Sequence, residues 1–139
     1  MGRIVLGIRL AAAPGMSARV WISDREPRLL ELLGELIPEA ECVSPSELVD
    51  HLAAGHVPDA LVIDGTQLLE LAARHRGAVL GLPRVLICTG LSLSSLPTSL
   101  ISGPTVAVLA KPFCVEDLEV AVEWLRGTRA DAVPALALP

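Results

Sequence analysis

The chain has 139 residues, of which 52% are hydrophobic and 19% charged, and its formal net charge is −5. This length suits one domain with a substantial core, and this composition excludes intrinsic disorder. The acidic balance, with a single lysine, argues against a nucleic-acid-binding surface, and no apolar run is long enough to span a membrane. Three scattered cysteines without a Cys-x-x-Cys spacing indicate thiols in a reducing compartment, so we expect a cytoplasmic protein.

The first half of the chain alternates between short apolar runs and helical spacing. The run Val20–Ile22 predicts a first strand, and leucines at helical spacing predict a helix over Leu29–Ile37. A weaker second strand follows at Glu41–Val43. Ser44 then begins a capping box with a proline at the first helical position, which predicts a helix that runs to Gly55.

The second half continues the alternation. Ala60–Ile63 is fully apolar and predicts a third strand, followed by one helix over about Leu68–Arg76. Arg84–Thr89 and Thr105–Ala110 predict the fourth and fifth strands. A last helix is expected from Val115, where acidic residues in the first turn suit the positive end of the helix dipole.

Strands that alternate with helices predict an α/β fold, with a parallel sheet covered by helices on both faces. In such sheets the chemistry lies at the carboxyl ends of the strands. Four predicted strands end there in a polar side chain, namely Asp24, Asp64, Thr89 and Lys111. We therefore expect these groups to share one shallow pocket, where paired carboxylates suit a hard divalent cation and one carboxylate suits attack on a phosphoryl group.

The order of these motifs resembles the receiver domains of bacterial response regulators, over about residues 18–126. The matching segments are Asp24–Pro27, Pro58–Asp64, Thr89–Gly90 and Lys111–Phe113. The resemblance implies a flavodoxin-like (βα)5 three-layer sandwich with strand order 2-1-3-4-5 and a cis Lys111–Pro112 bond. It also implies Asp64 as phosphoacceptor with Thr89 and Lys111 as its catalytic partners, and Mg²⁺ held by Asp24, Asp64 and the backbone carbonyl of Thr66.

The sequence also departs from the receiver pattern. Arg25 stands where the family has its principal acidic metal ligand, and the Met-Pro that usually follows the phosphoacceptor is missing after Asp64. The aromatic residue expected shortly before Lys111 is absent. The segment Leu91–Ser102 contains Pro97 and many hydroxyl residues, which are poor material for a continuous helix. We expect Arg25 to point toward the Asp64 pocket and to impair Mg²⁺ binding, since a guanidinium offers no coordination sphere to a phosphoryl donor.

The leading hypothesis is an atypical stand-alone receiver domain that transmits a signal through protein–protein interaction and is not an enzyme. The partner is expected to be a signalling protein or a histidine kinase. A homodimer through the 91–126 face is a further alternative, and leucines such as Leu93 and Leu96 are expected to be exposed on that face. The first alternative is a phosphorylatable two-component response regulator with Asp64 as phosphoacceptor. A second alternative, from another class, is a small flavodoxin-like cofactor-binding enzyme, although no glycine-rich loop follows the first strand. Residues 1–17 and 128–139 are expected to be flexible extensions of a receiver-like domain over 18–127.

Overall fold

The computed structural model of the chain describes residues 19–90, 95–101 and 103–127. Five strands form one parallel sheet, and they are β1 (Val20–Ser23), β2 (Glu41–Cys42), β3 (Ala60–Asp64), β4 (Arg84–Thr89) and β5 (Val106–Ala110). Their order across the sheet is β2-β1-β3-β4-β5. The expected flavodoxin-like α/β fold and its strand order are therefore confirmed.

Helices connect the strands, and six are found within the described residues. They are α1 (Pro27–Leu36), α2 (Pro45–Ala53), α3 (Gly65–Glu70), α4 (Ala73–Leu80), α5 (Thr98–Ile101) and α6 (Val115–Leu125). The capping box predicted for α2 is present, because Ser44 Oγ accepts from the Glu47 N–H and the Glu47 carboxylate accepts from the Ser44 N–H. None of the helices described is long and apolar enough to cross a membrane.

Two hydrophobic clusters lie on opposite faces of the sheet. Alternate strand residues such as Val62 and Leu86 pack with α1 and α6, while Leu61 and Ile87 pack with α2, α3, α4 and α5. This alternation follows from the period of two in a strand, and both faces are apolar because helices cover both of them. The aliphatic core leaves the polar chemistry to the ends of the strands.

The single helix expected over Leu68–Arg76 is wrong, since α3 and α4 are separate helices. The first begins earlier than expected because the Asp64 carboxylate accepts the N–H of Gln67 and starts the helix directly after β3. The chain then becomes extended at Leu71, whose side chain is buried in the core. Arg76 Nη1 lies 3.3 Å from the carbonyl oxygens of both Leu69 and Leu71, so it donates hydrogen bonds to the main chain at the break between α3 and α4.

Other differences are small. β2 ends one residue earlier than expected and β5 begins one residue later. Of the three cysteines, Cys88 in β4 is buried, whereas Cys42 on the short edge strand and Cys114 before α6 are exposed. The predicted extensions 1–17 and 128–139 lie outside the described residues, as does Leu93.

Candidate functional site

Three charged side chains meet at the carboxyl ends of β1, β3 and β5. The Lys111 ammonium lies 3.2 Å and 3.1 Å from the two carboxylate oxygens of Asp24, and 3.1 Å from Oδ1 of Asp64. The Asp24 side chain is only 2% exposed, against 19% for Lys111 and 26% for Asp64. The predicted convergence of these three groups is therefore confirmed, and the lysine contacts both carboxylates at once.

Asp24 is held by the turn that joins β1 to α1. Its Oδ1 accepts the N–H of Glu26 at 2.9 Å, and the Glu26 side chain in turn accepts the N–H of Leu29 at 2.6 Å. Glu26 thereby caps α1, with Pro27 at the first helical position. The Asp-x-Glu-Pro sequence thus orients the Asp24 carboxylate while it starts the helix.

Asp64 has two different partners for its two carboxylate oxygens. Oδ1 faces Lys111, and Oδ2 accepts the N–H of Gln67 at 3.1 Å as the cap of α3. The Gln67 side chain donates at 2.6 Å to Oγ of Ser23, a fully buried residue at the end of β1. Neither Ser23 nor Gln67 was predicted as a site residue, although the three-residue spacing from Asp64 to Gln67 is the usual signal of such a cap.

Lys111 follows β5 directly, at the expected cis Lys111–Pro112 bond. Its N–H donates at 2.7 Å to the carbonyl oxygen of Thr89, which aligns it with the end of β4. Burial alone would lower the pKa of Lys111, but hydrogen bonds and charges from Asp24 and Asp64 outweigh it and raise the pKa above its ordinary value. The lysine is therefore a fixed cation at neutral pH.

The fourth predicted group, Thr89, ends β4 at the same edge of the sheet. It is buried, and a Cβ placed on Gly65 would lie 2.6 Å from Thr89 Oγ1. The threonine hydroxyl packs closely against the glycine, because only a residue without a side chain leaves it room. Thr89 is not among the residues that line the pocket at Asp24, Asp64 and Lys111, and its catalytic role stays a prediction.

The pocket above the three charged groups has a volume of about 480 Å³. Arg25 and Thr66 are exposed and line it, as do Glu26 and Glu70. Arg25 forms no ion pair with Asp64 within the described residues, because the cation in contact with both carboxylates is Lys111. The position of Arg25 on the wall of this pocket agrees with expectation.

The residues that the resemblance assigns to Mg²⁺ are Asp24, Asp64 and Thr66. Each carboxylate already contacts Lys111 and accepts a backbone N–H. No third carboxylate, imidazole or thiolate of the described residues joins them in a metal-binding group. A hard cation would therefore depend on two carboxylates, main-chain oxygen and water, and would compete with the lysine ammonium.

Cys88 lies close to this charged cluster without joining it. Burial raises the pKa of its thiol well above the ordinary value, the carboxylates of Asp24 and Asp64 raise it further, and Lys111 partly offsets them. The thiol is consequently neutral and unreactive under ordinary conditions, since the thiolate is the nucleophilic form.

The surface proposed for association, residues 91–126, is only partly described. Leu96 and Leu100 are buried in the cluster that packs under α5. The expectation that Leu96 is exposed is wrong, because α5 is a short helix after Pro97 that is held by packing, with Leu96 before it and Leu100 within it buried against the sheet. A charged substitution at Leu96 would therefore disturb the fold before it tested association.

A scan of the chain against protein-family models gives no match, and a search among curated proteins gives no significant match. The functional argument therefore depends on the geometry of this chain's own residues.

Proposed function

We propose that the chain is an atypical receiver-like signalling domain that acts through contact with a partner protein, with impaired metal-dependent phosphorylation. The observation that carries the proposal is the Lys111 ammonium held 3.1–3.2 Å from the carboxylates of both Asp24 and Asp64. In a receiver these are the side chains of phosphoryl transfer. The partner is a signalling protein, a histidine kinase or a second copy of the chain.

The position of Arg25, and not the overall charge of the pocket, is the reason to expect impaired phosphorylation. The carboxylates of Asp24, Glu26, Asp64 and Glu70 line the pocket, and Lys111 contacts only those of Asp24 and Asp64. Arg25 adds a second positive charge to the wall of the same pocket. It stands at the position where receivers have the carboxylate that binds Mg²⁺. Because guanidinium cannot coordinate a metal, it repels the cation without replacing any of its chemistry.

A phosphorylatable response regulator is the second candidate, and the exposure of Asp64 favours it. About a quarter of this side chain is exposed toward the pocket, and Lys111 lies ready to balance charge on a transferred phosphoryl group. The cofactor-binding enzyme has less support. The N–H groups of Glu26 and Leu29 at the start of α1 already bind side-chain carboxylates and are not open to a phosphate.

The test is Mg²⁺ binding measured by calorimetry, together with treatment by a small acyl phosphate and detection of the phosphoprotein by mass spectrometry. We expect weak Mg²⁺ binding by the natural chain and little phosphoprotein. Arg25→Asp should bind Mg²⁺ at least about tenfold more tightly, because it exchanges a repelling charge for a ligand. Arg74→Asp is the matched control, since Arg74 is also exposed and does not line this pocket.

Two outcomes would contradict the proposal. Equal Mg²⁺ affinity for the natural chain and Arg25→Asp would mean that Arg25 has no influence on the site. Stoichiometric phosphorylation of the natural chain, abolished by Asp64→Asn, would establish the second candidate function instead.

A further inference from the structure

A second pocket lies at the opposite edge of the sheet, between the amino end of β1 and the last turn of α2. Its volume is about 570 Å³, within the range of small-molecule sites. It shares no residue with the pocket at Lys111. The side chains that matter for its chemistry are those of Arg19, Trp21, Glu41, His51, His56 and Val57.

One wall comes from the strands. Arg19 lies two residues before Trp21. Its carbonyl accepts the N–H groups of Asp59 and Ala60, which continues the ladder of β1 and β3 back to Arg19. Glu41 is the register partner of Trp21 in β2. Residues two apart in a strand, and register partners on adjacent strands, lie on the same face of a sheet. The two opposite charges and the indole therefore face the same pocket.

The other wall comes from the end of α2. Gly55 has a φ of +78°, which reverses the chain there and lets the His56 N–H donate at 2.9 Å to the carbonyl of His51. The ring centroid of His51 is 4.9 Å from that of Trp21 and 6.2 Å from that of His56. Val57 follows, and among the described residues it is an exposed large hydrophobic side chain, with 47% of its surface accessible. This wall is aromatic and apolar.

Polar groups of the strand wall lack partners. The indole N–H of Trp21 is buried and has no acceptor among the described residues, and Trp21 as a whole is only 3% exposed. The Arg19 guanidinium and the Glu41 carboxylate form no ion pair with each other or with any other described residue. The indole N–H of Trp124 is buried without an acceptor in the same way, so this feature alone does not mark a ligand site. The groups that a ligand in the pocket can reach are the exposed charges of Arg19 and Glu41.

We propose that this pocket binds a small zwitterion of the α-amino-acid class with an apolar side chain. The carboxylate pairs with Arg19, and the ammonium pairs with Glu41. The apolar side chain packs against the imidazole of His51 and against Val57. This proposal is independent of the receiver-like function, because the two pockets lie at opposite edges of the sheet.

The same residues argue against two other ligands. A simple anion would meet the Glu41 carboxylate and the negative end of the α2 dipole, which disfavour a second negative charge. A transition metal would need more than the two histidines, and no set of three metal-binding side chains converges in the described part of the chain. A zwitterion is the class that satisfies both charges of the wall.

The experiment is calorimetry on the full chain with three probes of one shape: L-leucine, 4-methylpentanoate, which lacks the ammonium, and 3-methylbutylamine, which lacks the carboxylate. We expect saturable binding of leucine, and at least about tenfold weaker binding of each analogue, because each loses one charge-assisted contact. Arg19→Gln should weaken leucine without affecting the amine, and Glu41→Gln should weaken leucine without affecting the carboxylate. Arg28→Gln and Glu119→Gln are matched controls, since both residues are exposed and neither lines this pocket.

Fluorescence gives an independent measurement. The chain has two tryptophans, and Trp124 is buried in the cluster on the other face of the sheet. Trp124→Phe therefore makes Trp21 the sole reporter, and leucine should change its emission with the affinity found by calorimetry.

Absence of saturable leucine binding to the natural chain would overturn the proposal. Equal binding of 4-methylpentanoate and leucine would overturn the zwitterion and leave an anion site. Leucine binding that neither Arg19→Gln nor Glu41→Gln weakens would place the ligand elsewhere. None of these results alters the Mg²⁺ test of the receiver-like function.

Discussion

Replacing Lys111 by methionine keeps an unbranched side chain that is one atom shorter and removes the charge that compensates two carboxylates. Asp24 is almost completely buried, and its carboxylate would then face Asp64 without a cation between them. Breaking a buried ion pair costs about 3–5 kcal/mol when one charge is left behind. Since Lys111 and Asp64 are partly exposed, solvent screening reduces this figure, and we expect a loss of about 2–3 kcal/mol in the free energy of unfolding.

The assay is urea denaturation at neutral pH, with Glu39→Gln as the control. That substitution breaks the Glu39–Arg126 ion pair, whose partners are each about one third exposed, and it should cost less than about 1 kcal/mol. The double variant Asp24→Asn/Lys111→Met should be more stable than Lys111→Met alone, because it removes the stranded charge as well. A loss for Lys111→Met no greater than that of Glu39→Gln would refute the view that the lysine compensates a buried carboxylate.

Two further predictions concern the packing and the titration of the core. Gly65→Ala should lower the free energy of unfolding by about 1–3 kcal/mol, because the added Cβ would collide with Thr89. The control Gly34→Ala in α1 meets nothing within 4 Å and should be neutral or stabilising. Equal effects of the two substitutions in urea denaturation would count against this packing. The raised pKa of Cys88 means that the unfolded chain loses the thiol proton first, so stability should begin to fall as the pH rises through the ordinary thiol value of 9.0. The raised pKa of Lys111 also makes stability fall as the pH rises, but only above the ordinary lysine value of 10.5. Cys88→Ala should therefore flatten only the part of the pH–stability profile that begins near pH 9.0. An unchanged profile would contradict the assignment of that part to Cys88.

The sheet could be predicted from the sequence because its information is local. Strands such as Ala60–Asp64 and Arg84–Thr89 are continuous apolar runs, and their polar ends mark one edge of a parallel sheet. The convergence of Asp24, Asp64 and Lys111 follows from that topology alone. What could not be predicted is the detailed direction of side chains. The burial of Thr89 depends on its close contact with Gly65, a residue 24 positions earlier in the chain, which no local pattern records.

The break between α3 and α4 shows the same limit. Helical spacing continues across it, so periodicity predicts one helix. The structure divides the segment because Asp64 starts α3 early, and because Leu71 is buried with its backbone extended. The pocket beside Trp21 could not be predicted from the sequence either, since His56 joins it only through the chain reversal at Gly55.

The Asp24–Lys111–Asp64 cluster bears on function in a way that the sheet order makes clear. β5 is separated from β1 by both β3 and β4, so Lys111 reaches across the carboxyl edge of the sheet to contact Asp24. The cluster therefore ties non-adjacent strands together and compensates a buried carboxylate, whether or not Asp64 accepts a phosphoryl group. Selection for stability alone would be enough to keep these three residues. The residue after Asp24 therefore bears more directly on phosphoryl transfer than the cluster does. Arg25 contacts neither the core nor the ion pairs, so it affects only what the pocket can bind, and it argues against Mg²⁺-dependent transfer.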